Sequence, residues 1–266
     1  MASIEIEGGR TINYEVSGEG MPLLLIRGLG GAGADWGPTV DRLSPPFRVI
    51  TFDNRDAGSN EPETDGYSIA DFADDAAGLL RALGIERAHV LGHSMGGFIA
   101  QHLALNHPEL VDHLILVGTS PAAGVALGQP LAPPTEEDWI SDPVERSRSR
   151  APLTHGPGYF DNRPEELEEI AALSRTNRIT HEGYARHLAA ISDTHDVRER
   201  LSQISMPTLV AHGDADPLVA LRGGQLLAGG IPGAILKVYP GVGHYPFREA
   251  ADAFYRDVYE FLGVGM

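Results

Sequence analysis

The chain has 266 residues, enough for one large α/β domain or two small ones, and its 42% hydrophobic and 21% charged residues are usual for a globular protein. The formal net charge of −17 argues against nucleic acid and against an anionic membrane as partners. The absence of cysteine excludes disulfides, thiolate catalysis and cysteine-ligated metals. The first residues lack the features of a signal peptide, and no apolar run approaches the roughly 18 residues of a spanning helix, so we expect a cytoplasmic protein.

Apolar runs and helical periodicity alternate along the chain. The predicted strands cover residues 3–7, 10–17, 22–27, 47–53, 87–91, 111–117, 207–211 and 234–239. The predicted helices cover residues 68–83, 98–105, 218–229 and 248–262. The first two strands are expected to form a hairpin around Gly8 and Gly9, and Ser68 with Asp71 is a candidate helix cap. Strands that alternate with helices predict a mostly parallel, twisted sheet with helices on both faces.

This alternation stops between residues 121 and 205. That segment is rich in Pro, Arg and Glu, contains no convincing core strand and predicts several short helices. We therefore predict a core domain at 1–120 and 206–266, with a helical cap inserted at 121–205. The cap is expected to cover the carboxyl-terminal edge of the sheet, where such sheets bind ligands.

The sequence G-H-S-M-G-G at residues 92–97 lies between a predicted strand and a predicted helix. It fits the G-x-S-x-G pattern of a nucleophile elbow, in which Ser94 would occupy a strained corner with its hydroxyl exposed. A Cβ atom at Gly92 or Gly96 would collide with the neighbouring strand or helix. Because glycine and serine are common turn residues, the pattern gains its meaning only if a base and an acid follow.

A serine hydroxyl needs a base to accept its proton, and the base needs a group that orients it. His244 follows the last predicted strand in the loop before the final helix, which makes it the candidate base. Asp216 and Asp214 both follow the strand at 207–211. Asp216 is favoured as the acid because Pro217 restricts its backbone to an extended conformation, whereas Asp214 could cap the turn.

Acyl transfer also requires donors for the oxyanion. The backbone N–H groups of Met95, after the serine, and Leu29, in the glycine-rich loop after the strand at 22–27, are the candidates. The candidate substrate-pocket residues are Gly28, Trp36, His93 and Trp139.

Taken together, the motifs at 92–97, at 212–216 (H-G-D-A-D) and at 243–244 (G-H) resemble the α/β-hydrolase superfamily over nearly the whole chain. Residues 53–59 (D-N-R-D-A-G-S) are similar to a segment of bacterial methylesterases of the aclacinomycin methylesterase type and of enol-lactonase relatives. Two departures stand out. Arg27-Gly28 replaces the His-Gly pair frequent in the family, which changes the polarity near the oxyanion, and the segment is one residue shorter between Gly58 and Ser59.

The resemblance implies an α/β-hydrolase fold and a serine hydrolase that cleaves a small-molecule ester or lactone through a Ser94 acyl-enzyme, without cofactor or metal. The alternatives are a cofactor-free haloperoxidase or perhydrolase and a C–C bond hydrolase on the same triad. A protein of another class, a receptor-like binding protein on a hydrolase scaffold, would differ by its slow turnover. A homodimer is compatible with this fold, and no stripe in the sequence marks an interface.

Three further patterns admit a second interpretation. The G-x-G-x-x-G run at 28–33 has Asp53 at dinucleotide-binding spacing, but Trp36 and the Gly37-Pro38 pair oppose the helix that this motif requires. Among the 11 histidines, His102, His107 and His113 look like helix and strand positions, so no zinc site is predicted. The alternating basic run Arg146, Arg148 and Arg150 favours a solvated helix face over a carboxylate clamp.

Overall fold

A computed structural model describes residues 1–123 and 134–265 of the chain. Within these residues the sheet has eight strands, in chain order β1 (Ala2–Glu5), β2 (Thr11–Ser17), β3 (Met21–Ile26), β4 (Phe47–Phe52), β5 (Ala88–His93), β6 (Val111–Val117), β7 (Thr208–Gly213) and β8 (Ile235–Tyr239). Their spatial order is β1-β2-β4-β3-β5-β6-β7-β8. The β1–β2 and β2–β4 pairs are antiparallel, and every other neighbouring pair is parallel. The mostly parallel sheet and the initial hairpin are confirmed.

Nine α-helices accompany the sheet in the described residues. They are α1 (Pro38–Leu43), α2 (Ile69–Ala82), α3 (Met95–Asn106), α4 (Pro143–Arg150), α5 (Pro164–Leu173), α6 (His181–Thr194), α7 (Leu221–Gly230), α8 (Pro246–Glu249) and α9 (Ala251–Phe261). None of the helices in this part of the chain combines the length and apolar character needed to cross a bilayer.

Alternation along the strands divides the core into two layers. In β3, Leu24 and Ile26 join an apolar cluster with α2, α3 and α7, whereas Leu23 and Leu25 join a second cluster with α1 and α9. Because successive side chains of a strand point to opposite faces, the central strands are buried on both sides and read as continuous apolar runs. This is why the sequence identified them as strands of a covered parallel sheet.

Hydrogen bonds from nearby side chains fix the ends of two helices. The Ser68 hydroxyl accepts the Asp71 N–H and the Asp71 carboxylate accepts the Ser68 N–H, which forms the predicted cap of α2. The single predicted helix at 248–262 is wrong in one respect, because the chain breaks at Ala250 into α8 and α9. The Glu249 carboxylate accepts the N–H groups of Gly243 and Tyr245, at 2.9 and 3.1 Å, which ties α8 to the preceding loop.

Between β6 and β7 the described residues form α4, α5, α6 and short 3₁₀ turns, with one isolated bridge between Ala122 and Asp196. Helix α6 is fixed to the core by Arg186, whose Nε and Nη2 donate to the Asp56 carboxylate at 2.9 and 2.7 Å. Part of the predicted cap, residues 124–133, lies outside the described residues. The division of the chain into a core and a cap at 121–205 stays a prediction.

Candidate active site

Ser94 occupies a sharp corner between the end of β5 and the start of α3. Its backbone has φ 58° and ψ −123°, a strained conformation for a residue with a side chain. The corner is tight: a Cβ atom on Gly92 would lie 2.2 Å from the Gly96 carbonyl oxygen, and one on Gly96 would lie 2.1 Å from the Ile26 carbonyl oxygen. Glycine at both positions therefore allows β3, β5 and α3 to meet and hold Ser94 at the corner.

His244 and Asp216 lie side by side, although 28 residues separate them in the chain. The His244 Nδ1 atom is 2.7 Å from the Asp216 Oδ2 atom, and both side chains are buried. Oδ1 of Asp216 accepts the N–H groups of Leu218 and Val219, each at 2.9 Å. Burial opposes ionisation of this carboxyl group, but the charge and hydrogen bond of His244 together with these N–H donors lower the pKa of Asp216 below its ordinary value. Asp216 is therefore ionised and fixes the Nδ1–H tautomer of His244.

His244 reaches this position by crossing the neighbouring strand ends. A Cβ atom on Gly118, directly after β6, would lie 3.2 Å from the His244 Nδ1 atom, so the imidazole lies against the bare backbone there. Asp214 is placed differently, because its Oδ1 atom accepts the Gly241 N–H at 2.6 Å on the exposed side of the turn. The structure thus brings Asp216, and not Asp214, to His244.

A cavity of about 300 Å³ opens over this corner and is lined by Ser94, His244, Gly28, Leu29 and Met95. Neither the Leu29 N–H nor the Met95 N–H has a hydrogen-bond acceptor among residues 1–123 and 134–265. Two free donors beside a serine are the arrangement that an oxyanion requires.

Two of the four predicted pocket residues line the cavity and two do not. Gly28 and His93 line the cavity. The His93 Nε2 atom is 2.9 Å from the His244 carbonyl oxygen, and burial, with the nearby charges of His244 and Arg27, holds the pKa of His93 well below its ordinary value. Neutral His93 thus links the serine corner to the histidine loop through a hydrogen bond.

Trp36, a predicted pocket residue, does not line the cavity. A 3₁₀ turn at Gly33–Trp36 turns the indole into the core, where it is fully buried and lies 5.2 Å from the Phe247 ring. Trp139 does not belong to the described cavity lining either, and its ring packs beside Arg146 and Tyr184.

Several cavity residues were missed or misjudged from the sequence. The segment between β6 and β7 contributes Arg146, Arg150, His155, Asn177 and Tyr184, and α8 contributes Arg248. Among these residues, only those of the alternating basic run stand out in the sequence, and the three arginines of that run have different environments in the structure.

Arg148 pairs with Glu145 and Glu168 on the surface, as the solvated-face interpretation predicts. Arg146 and Arg150 instead line the cavity. No sequence periodicity marks residues that meet only through the folding of short helices.

The glycine-rich loop at 28–33 serves the serine corner and shows no dinucleotide-binding geometry. A Cβ atom on Gly28 would lie 2.8 Å from the Ser94 Cβ atom. Asp53, which lies at dinucleotide-binding spacing from this loop, is buried and accepts the Gly33 N–H at 2.9 Å and the Ser59 N–H at 2.8 Å. The spacing of 20 residues thus reflects a link between two loops.

One group of potential metal ligands lies away from this cavity. His89, Asp112 and His113 come together on β5 and β6, and His113 Nδ1 is 2.8 Å from the Asp112 carboxylate. Arg87 also lies 3.5 Å from Asp112, so the carboxylate already has a cation and the His113 ring nitrogen as neighbours. The absence of a metal site stays a prediction.

Comparison with known proteins agrees with this architecture. The profile of the family described as "alpha/beta hydrolase fold" matches residues 21–251, and the chain belongs to that family. It is 32% identical over 237 residues to the protein named "Putative carbamate hydrolase RutD" of Serratia proteamaculans, covering 87% of this chain and 88% of that one. It is also 32% identical over 271 residues to a 2-hydroxymuconate semialdehyde hydrolase of Pseudomonas putida, covering 97% and 92%.

Among solved structures, the enol-lactonase of Burkholderia xenovorans LB400 superposes with a TM-score of 0.83 at 28% identity, covering 98% of this chain and 100% of that one. These relatives confirm the resemblance to α/β hydrolases that include lactonases and esterases. The protein is a hydrolase of this family.

Proposed function

We propose that the protein hydrolyses a small-molecule carboxylic ester or lactone through a Ser94 acyl-enzyme. The observation that carries the proposal is the 2.7 Å contact of buried Asp216 with His244 Nδ1, beside a cavity in which Ser94 occupies a strained corner. A histidine whose Nδ1 is held by a carboxylate presents Nε2 as a base.

In this mechanism, His244 accepts the Ser94 proton as the oxygen attacks the substrate carbonyl. The N–H groups of Leu29 and Met95 stabilise the oxyanion, and Asp216 stabilises the imidazolium that forms. His244 then gives its proton to the leaving alkoxide and activates a water molecule, which releases the acid from Ser94. We rank esters and lactones above amides because an amine leaving group demands more closely timed protonation.

A second candidate is C–C bond hydrolysis on the same three residues. It is favoured by the similarity to 2-hydroxymuconate semialdehyde hydrolase over 97% of the chain. The two candidates share the nucleophile, base and oxyanion donors and differ in the leaving group. Assays on esters and on meta-cleavage products therefore distinguish them.

The test is hydrolysis of 4-nitrophenyl esters of increasing acyl length at neutral pH. We expect Ser94→Ala to reduce turnover by about four powers of ten, because the nucleophile is removed while binding is retained. Ser202→Ala, on an exposed side chain, is the matched control and should match the wild type. Equal turnover by Ser94→Ala and wild type would contradict the mechanism.

A further inference from the structure

The cavity around Ser94 has a charge opposite to that of the whole protein. The chain carries a net charge of −17, yet the described residues that line the cavity include four arginines, Arg27, Arg146, Arg150 and Arg248, and one carboxylate, Asp35. None of these four guanidinium groups lies within 4.0 Å of a carboxylate oxygen in the described part of the chain. Elsewhere arginines do find such partners, as Arg186 does with Asp56.

Arg27 is the most restricted of the four. Its residue is 8% exposed, and its Nε atom is buried without a hydrogen-bond partner. The guanidinium carbon lies 5.1 Å from the Trp36 ring centroid and 5.8 Å from that of Tyr245, and Nη1 is 3.5 Å from His93 Nδ1. Rings and a neutral imidazole compensate a buried cation only in part, so the folded protein bears a desolvation cost that a bound anion would offset.

Arg248 brings a second cation to the Tyr245 ring. Its guanidinium carbon lies 5.2 Å from the Tyr245 ring centroid, and Nη2 donates to the Asp35 carbonyl oxygen at 3.0 Å. Burial and the positive charge of Arg27 both lower the pKa of Arg248. The fold thus holds two mutually repelling cations against one ring.

Asp35 compensates this pair only in part. Its Oδ2 atom accepts the Ala32 N–H at 2.8 Å and the Asn177 side-chain N–H at 3.3 Å. One carboxylate facing four guanidinium groups leaves the cavity positive. A positive cavity in a negative protein attracts small anions that the outer surface repels.

We propose that the substrate is an anion, and that a carboxylate separate from the bond to be cleaved binds to the guanidinium groups of Arg27 and Arg248. This rests on the serine hydrolase function proposed above and names its substrate class. Guanidinium groups match the planar geometry of a carboxylate and pair with it through charge-assisted hydrogen bonds. The site is adjacent to the chemistry, because Tyr245 follows His244 and His93 precedes Ser94.

The test compares matched substrates. The mono-4-nitrophenyl esters of glutaric, adipic and pimelic acid carry a free carboxylate, and each is paired with the ester of the unbranched monocarboxylic acid of equal carbon number. We expect wild type to favour at least one anionic member in kcat/KM by about 10- to 100-fold, the usual effect of hydrogen bonds to a charged group. Spontaneous hydrolysis is subtracted with Ser94→Ala.

Variants then test whether Arg27 and Arg248 cause the preference for the anionic ester. Arg27→Met and Arg248→Met keep an aliphatic chain against the Tyr245 ring and should reduce the anionic-to-neutral ratio to near one. Arg27→Lys keeps a charge and should retain part of the ratio, which a purely structural role would not produce. Arg148→Gln, whose side chain pairs with Glu145 and Glu168 on the surface, is the control and should leave the ratio unchanged.

The outcomes separate the two proposals. Ser94-dependent hydrolysis that is equal for both members of every pair would overturn the anionic substrate and leave the serine hydrolase standing. If no ester is turned over, the proposed activity fails and calorimetric titration with adipate decides the anion site. Binding by wild type that Arg27→Met abolishes would support the site, and no binding by wild type would overturn it.

Discussion

At the scale of single residues, the two aspartates after β7 have different surroundings despite a separation of two positions. Asp216 is buried against His244, whereas Asp214 caps the exposed turn at Gly241. In the sequence, Pro217 favours Asp216 as the acid, since it holds the preceding backbone extended. The N–H groups of Leu218 and Val219 hold the Asp216 carboxylate in this position.

We therefore expect Asp216→Asn to lower kcat for the best nitrophenyl ester by about 10⁴-fold, because the amide can hold His244 in the wrong tautomer. Asp214→Asn keeps an acceptor for the Gly241 N–H and should stay within about threefold of wild type, as expected of a surface substitution. Steady-state kinetics of both variants check this prediction. A larger loss in Asp214→Asn than in Asp216→Asn would reverse the assignment of the acid.

At the scale of elements, the approach of β3, β5 and α3 depends on the backbone at the serine corner. A Cβ atom at Gly96 would meet the Ile26 carbonyl oxygen at 2.1 Å, and a backbone atom in a central strand cannot move aside cheaply. Gly229, near the end of α7, has open space around the position of its missing Cβ atom.

Gly96→Ala should therefore lower the free energy of unfolding by about 3 kcal/mol, the usual cost of overpacking a core. Gly229→Ala is the matched control and should raise it by up to about 1 kcal/mol, since alanine favours a helix over glycine. Urea unfolding followed by circular dichroism measures both. Equal stability of Gly96→Ala and wild type would contradict the close contact at the corner.

At the scale of the whole molecule, buried histidines such as His102, His155, His187 and His195 link stability to pH. Burial lowers the pKa of His102 and His187 to about 4 and that of His155 and His195 to about 3. In the unfolded chain each would titrate near 6.5. Below that pH the unfolded state binds more protons than the folded state, so acid favours unfolding.

The free energy of unfolding should accordingly decrease as the pH falls from about 6.5 towards 4, by up to about 1.4 kcal/mol per pH unit for each histidine. Urea unfolding at several pH values and constant ionic strength tests this. His102→Leu should make the dependence shallower by about that amount, whereas Ile99→Val, in the same helix, should lower stability equally at every pH. A stability that does not change across this range would contradict the linkage.

The sequence by itself determined where the strands lie along the chain, which of them are buried, the cap of α2 and the serine corner. These features depend on neighbours in the sequence: continuous apolar runs, Ser68 with Asp71, and the glycines around Ser94. The sequence also makes His244 the candidate base, because a loop after the last strand can carry a side chain over a neighbouring strand end.

Only the tertiary structure decided which side chains reach the cavity. Trp36, three residues after the glycine-rich loop, turned into the core, and Arg248 came to the cavity from a four-residue helix. Arg146 and Arg150 line the cavity while Arg148, between them, pairs on the surface. The direction of a side chain depends on long-range packing and on the competition between burial and charge, and no local pattern in the sequence encodes that competition.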